Sequence, residues 1–145
     1  MPGTHTPATL HREAGDRIEA CLVAACPEEM EVVRAPFRYR LRTRGELEPD
    51  LMVRHQSEGS PMLLAVEIAR PSTLAADWLR RTHAYAALGV GAFWTLEPRH
   101  AVLSVQERLD GQRFWRTIEG DAVFEASVPF PVRVVPSELS RSVVR

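Results

Sequence analysis

The sequence predicts an α/β (α+β) domain: a mixed β-sheet flanked by two main helices, with C-terminal hairpin strands. Three observations carry that expectation. An apolar run, Met62 to Ala69, is followed by a helical pattern and then by a second apolar run, Gly91 to Leu96, which is the order of a βαβ unit. Asp110-Gly111 separates two strand-like stretches, a strong short hairpin signal. Near the start, Leu10, Ala14, Ile18, Cys21, Leu22 and Ala25 recur at helical spacing, one apolar stripe with charges between.

Taken in order, the first helix is expected over Leu10 to Ala25, closed by Pro27. From Glu31 to Thr43 the period changes to two: Phe37, Tyr39 and Leu41 alternate with Arg38, Arg40 and Arg42. One face of that strand is apolar and the other carries guanidinium groups. Arg44 extends the row before the turn at Gly45. A short strand at Leu51 to Arg54 and a polar loop at Gln56 to Ser60 precede Met62 to Ala69, whose composition suits a central strand covered on both faces. Ser72 or Thr73 can cap a helix from about Leu74 to Leu88, stopped by Gly89. Within it Leu74, Trp78, Tyr85 and Leu88 recur as a core-facing stripe. Strands follow at Gly91 to Leu96, Ala101 to Leu109, Gln112 to Ile118 and Val132 to Val135, with a turn at Glu119 to Asp121.

A chain of 145 residues suits one domain, expected over residues 10–140, with a flexible N-terminus at 1–9 and a tail at 141–145. Its apolar fraction of 45% and charged fraction of 26% are ordinary for a globular protein. A core of this size needs neither disulfide nor metal, and Cys21 and Cys26 read as buried free thiols rather than zinc ligands. A net charge of −1 excludes a globally basic polyanion binder and leaves a local patch open. No apolar run approaches the ~18 residues of a membrane span, and the N-terminal pattern is not that of a signal peptide. A cytoplasmic location without a membrane partner is the expectation. All 18 basic residues are arginine, so chemistry that needs a lysine amine is done differently here or is absent.

Glu67 interrupts the most apolar strand of the chain. A carboxylate there costs several kcal/mol unless it is paired, protonated or bound to a cation. A salt bridge to an arginine is one reading. The other draws on Asp50, which opens the preceding strand in Glu48-Pro49-Asp50-Leu51-Met52-Val53. Two acids from neighbouring strands aimed at one point make the oxygen-rich site that Mg²⁺ prefers, with positions left for water and a phosphate oxygen. Asp77 and Arg81, four residues apart, share a helix face and can pair; Arg81 is also placed to reach the sheet edge at Glu67. The row Arg38, Arg40, Arg42 and Arg44 spaces guanidiniums at roughly 6.5–7 Å, about two phosphate steps of ~3.4 Å. It reads equally as an edge strand guarded by charge. His11, His55, His83 and His100 lack zinc spacing, and no phosphate-loop or nucleophile-elbow motif occurs.

These stretches resemble the Uma2 family (DUF820). The resemblance rests on Glu48-Pro49-Asp50-Leu51-Met52-Val53, then Ala65-Val66-Glu67-Ile68-Ala69-Arg70-Pro71-Ser72-Thr73. It continues in the helix from Asp77 ending Ala84-Tyr85-Ala86-Ala87-Leu88-Gly89-Val90, in Phe93-Trp94, and in Pro129-Phe130-Pro131-Val132 with Glu138-Leu139. It covers roughly His11 to Leu139. It implies a restriction endonuclease-like core of the PD-(D/E)XK nuclease superfamily, with Asp50 and Glu67 as metal-binding carboxylates for Mg²⁺ or Mn²⁺ and DNA as substrate. Arg81 stands where the family has a helix lysine, and Arg70 where its strand-end motif has serine; the N-terminal segment lacks the usual Glu-bearing hairpin. An arginine keeps its charge and cannot act as a base, but can stabilise charge developing on a phosphoryl group. The resemblance thus implies a Mg²⁺-dependent endonuclease, with Asp50, Glu67 and Arg81 catalytic and Asp77 and Arg70 supporting. The alternative is an inactive nuclease-fold protein that binds nucleic acid or a partner. Related domains often pair to cut two strands, which makes a homodimer the expectation by analogy.

Overall fold

A computed structural model describes residues 7–35, 48–57, 59–70 and 75–140. Helix α1 (Pro7–Ala25) leads into strands β1 (Met30–Arg34), β2 (Leu51–His55) and β3 (Met62–Ile68). Helix α2 (Ala75–Ala87) connects β3 to β4 (Ala92–Glu97), followed by β5 (Val102–Leu109) and β6 (Gln112–Glu119). The described residues end in a small pair, β7 (Phe124–Ala126) and β8 (Val132–Val134), and a short helix, α3 (Pro136–Ser140).

The main sheet has the order β1-β2-β3-β4-β5-β6. Among the described strands only β3 and β4 run parallel, Val66 opposite Trp94 and Glu67 opposite Thr95, as a helical crossover between them requires. The remaining pairs are antiparallel. The expected βαβ unit and hairpin are both present. Asp110 and Gly111 adopt φ of 51° and 78°, the double positive φ of the tight turn that matches strand twist.

Alternation along β3 divides the core. Leu64, Val66 and Ile68 pack with Ala14, Ile18 and Leu22 of α1 and with Phe124, Val134 and Leu139 from the C-terminal segment. Ala65 faces the other way, with Met52, Met62, Phe93 and Tyr85 of α2. The sheet is therefore covered on both faces at β3, which is why that strand reads as continuously apolar.

Several elements differ from expectation. The first helix begins at Pro7 rather than Leu10, because proline is preorganised for a first helical position. Residues 7–9 thus belong to it rather than to a flexible end. The strand expected to Thr43 is described only as Met30–Arg34; Arg38, Arg40, Arg42 and Arg44 lie outside the described residues, as do Ser72, Thr73 and Leu74. Leu88, expected in the core, is exposed: it lies past the last turn of α2. The sequence pattern does not predict the short β7 and α3. Elements so brief owe their form to tertiary packing rather than to propensity. No helix among the described residues is long and apolar enough to cross a membrane.

Candidate functional site

Glu67 sits in β3 with only 6% of its surface exposed. Both of its carboxylate oxygens are engaged from α2. Arg81 donates from Nη1 to Oε1, and Tyr85 donates its hydroxyl proton to Oε2 at 2.6 Å. Arg81 and Tyr85 are four residues apart and so lie on one face of α2. The helix end fixes that face. Gly89 takes φ of 78°, and Gly89 N donates to Ala86 O while Val90 N donates to Tyr85 O, a Schellman closure.

Electrostatics follow from this geometry. Burial, then the charge and hydrogen bond of Glu67, push the Tyr85 hydroxyl far above the ordinary tyrosine range, and Asp50 adds to the same push. Tyr85 is therefore a fixed proton donor. Burial alone would lower Arg81, but the charge and hydrogen bond of Glu67 outweigh it and the guanidinium is held more firmly protonated. Asp77 does not take Arg81 as its helix spacing suggested. Its carboxylate lies 3.4 Å from Arg80, because Arg81 turns inward to the more buried acid.

Asp50 lies at the point where β2 begins. Its N–H donates to Val66 O at 2.9 Å, its carbonyl accepts from Ala35 N, and its Oδ2 accepts from Ile68 N at 2.7 Å. The side chain thus caps β3 one residue beyond Glu67. The two acids flank the end of one strand, each held by its own partners: Asp50 by backbone, Glu67 by α2.

Asp50 also lines an open cleft of about 320 Å³ whose walls include His11, Arg12, Arg34 and Arg70. Three of these four side chains are guanidiniums, the group that binds phosphate bidentately. Arg34 is held by Asp16 and Glu19 of α1 and donates to Arg12 O at 3.2 Å. Gly15 makes room for it, since a Cβ there would stand 2.6 Å from Arg34 Nη2. His11 Nε2 lies 3.2 Å from Asp50 Oδ1. It is buried, and without a hydrogen-bond partner among the described residues. His11, Arg12 and Arg34 were not singled out by sequence reasoning, nor was Tyr85 as a partner of Glu67.

Among the described residues no group of three or more histidine, cysteine, aspartate or glutamate side chains converges as a metal cage. Mg²⁺-type centres need fewer protein ligands, often one or two carboxylates with water and a substrate phosphate. The end of β3 offers one such carboxylate, Asp50, anchored by the Ile68 N–H, with a buried imidazole nitrogen of His11 3.2 Å from its other oxygen. The cysteines are free, and burial raises the Cys21 thiol above its usual range, with Glu138 adding to it.

The model of the Uma2 family, described as "Putative restriction endonuclease", matches residues 3–142. No curated protein matches the chain. Among solved structures it is similar to the crystal structure of "a putative nuclease belonging to DUF820" from Anabaena variabilis, with a TM-score of 0.65 and 14% identity over 96% of this chain and 83% of that one. At that identity the likeness is one of fold.

Proposed function

We propose, on the premise that the chain belongs to the Uma2 family, that it is a divalent-metal-dependent endonuclease hydrolysing phosphodiester bonds in DNA. One observation carries the reading: the cleft that Asp50 enters is walled by Arg12, Arg34 and Arg70, so an acid suited to a cation and guanidiniums suited to a phosphate meet at one strand end. Asp50 and Glu67 would hold Mg²⁺ or Mn²⁺. When bound, such an ion acidifies water and offsets phosphate charge.

The chain's own residues have separable tasks. The Ile68 N–H fixes Asp50 so that Oδ1 stays directed by backbone rather than by a mobile side chain. Arg12 and Arg70 bind and orient the phosphodiester, and Arg34, held by Asp16 and Glu19, adds positive charge to the wall. Arg81, half exposed, carries a permanent positive charge beside Glu67 and can stabilise charge on the phosphoryl oxygens, but it takes no proton from water. Tyr85 keeps Glu67 oriented. The row Arg38, Arg40, Arg42 and Arg44 is assigned the grip on flanking backbone phosphates from its sequence spacing.

The test is cleavage of plasmid or oligonucleotide with Mg²⁺ or Mn²⁺. Asp50→Ala and Glu67→Ala are expected to abolish it, and wild-type rates in both variants would refute the assignment. A second reading has its own support. Glu67 already has a proton donor on each oxygen, one of them the arginine that stands in place of lysine. That arrangement suits a nuclease-fold module that binds nucleic acid or a partner without turnover. Calorimetric Mn²⁺ binding that disappears on mutating the acids favours the enzyme, and wild-type protein that takes up none favours the module.

A further inference from the structure

We infer that His11 is a ligand of the cation held at Asp50, and that its nitrogen shifts the centre's preference from Mg²⁺ toward first-row transition ions. The inference rests on the reading above that Asp50 binds a metal.

The first support is a near approach that is not a hydrogen bond. His11 Nε2 stands 3.2 Å from Asp50 Oδ1, yet it is buried with no hydrogen-bond partner among the described residues. A ring nitrogen paired to a carboxylate aligns its N–H with the acceptor oxygen. Here proximity occurs without alignment. A buried polar atom left without a hydrogen bond is destabilising, and one ion bonded to both atoms would satisfy it.

The separation itself fits. Two donors about 2.1 Å from one ion stand about 3.0 Å apart in octahedral and about 3.4 Å apart in tetrahedral geometry. A gap of 3.2 Å lies between these values. The remaining Asp50 oxygen accepts the Ile68 N–H, the kind of outer hydrogen bond that orients a ligating carboxylate. Both side chains line the same cleft, so water and a phosphate oxygen can complete the shell. Asp50 supplies the negative charge that lets a cation sit among the cleft's guanidiniums, and a phosphodiester would add to it.

Imidazole is a poorer ligand for Mg²⁺ than for transition ions, whereas carboxylate and water suit Mg²⁺. Adding His11 to Asp50 therefore changes selectivity as well as affinity. The experiment uses the full chain, stripped with chelator, and Mn²⁺ as the probe. Pulsed electron paramagnetic resonance of bound Mn²⁺ is expected to show ¹⁴N modulation from a coordinated imidazole in the wild type. In His11→Gln that modulation is lost and calorimetric Mn²⁺ affinity falls about tenfold or more, while Mg²⁺ affinity changes less.

Circular dichroism of the variant checks that it folds, and the wild-type spectrum carries the test without any variant. If Mn²⁺ binds and is lost in Asp50→Asn, but no nitrogen modulation is seen, the role of His11 is overturned while Asp50 stands. An unchanged Mn²⁺ affinity in His11→Gln overturns it equally. If wild-type protein binds no Mn²⁺ at all, this inference and the reading beneath it fall together.

Discussion

Tyr85 and Glu67, eighteen residues apart in sequence, meet through one hydrogen bond of 2.6 Å between the phenolic oxygen and a buried carboxylate oxygen. The bond ties α2 to the strand it follows and leaves Glu67 oriented before any ligand arrives. Its strength is that of a charge-assisted contact in a site with little water.

Tyr85→Phe removes the donor and leaves a buried carboxylate oxygen unsatisfied. Hydrogen bonds to charged groups contribute about 1.5–3 kcal/mol, so the thermal midpoint is expected to fall by roughly 4–10 °C for a chain of this size. The variant also removes a pH dependence. The folded state holds the Tyr85 proton where the unfolded chain loses it, so wild-type stability declines as pH rises above about 10. Denaturant melts across that range should show a shallower decline in Tyr85→Phe.

Arg81→Lys restores an amine at the position beside Glu67. Because Arg81 is half exposed, its pair with Glu67 is screened and the stability change is expected to stay within about 1 kcal/mol. The informative measurement is plasmid cleavage with Mn²⁺. A faster rate in Arg81→Lys identifies the missing lysine chemistry as the limiting defect.

Arg70→Ala removes one guanidinium from the cleft wall. If it contacts a single phosphate, the slope of log affinity against log salt for duplex DNA should shrink by about 0.9. Fluorescence anisotropy at several salt concentrations measures this directly, and an unchanged slope would take Arg70 off the DNA.

Glu107 in β5 gives a prediction independent of the cleft. Burial raises its carboxyl above the usual range, and Arg116 pulls it only part of the way back. The folded state therefore keeps a proton that the unfolded state has released, and stability falls as pH climbs from the ordinary glutamate value through the raised one. Glu107→Gln should match wild type near pH ~3, where the glutamate is neutral in both the folded and unfolded states, and exceed it at neutral pH. Urea midpoints at the two pH values decide it.

The legible part of this protein was what local pattern records. The continuous apolar run of β3 with Glu67 inside it, the stop at Gly89 and the turn at Asp110-Gly111 all appear where their residue types demand. The polar partners were harder. Helical spacing placed Tyr85 inward but said nothing of the atom its hydroxyl would find, and the same spacing offered Asp77 to Arg81 when a buried acid on another element attracts it more strongly. His11, Arg12 and Arg34 stayed hidden because α1 and β1 reach Asp50 only through contacts distant in sequence. Glycine at position 15 marks that approach, but in a helical pattern it reads merely as a weak residue.

The helix that brings His11 and Arg12 to the cleft is fastened at its other end by the last elements of the fold. Leu22 shares a core with Val134 and Leu139, and the Cys21 thiol donates to Arg133 O at 3.4 Å. The wall opposite Asp50 thus hangs on a clasp formed more than a hundred residues downstream. Loosening that clasp, by deleting α3 or by a fusion that pries it away, would let the near wall drift even though no cleft residue had been altered.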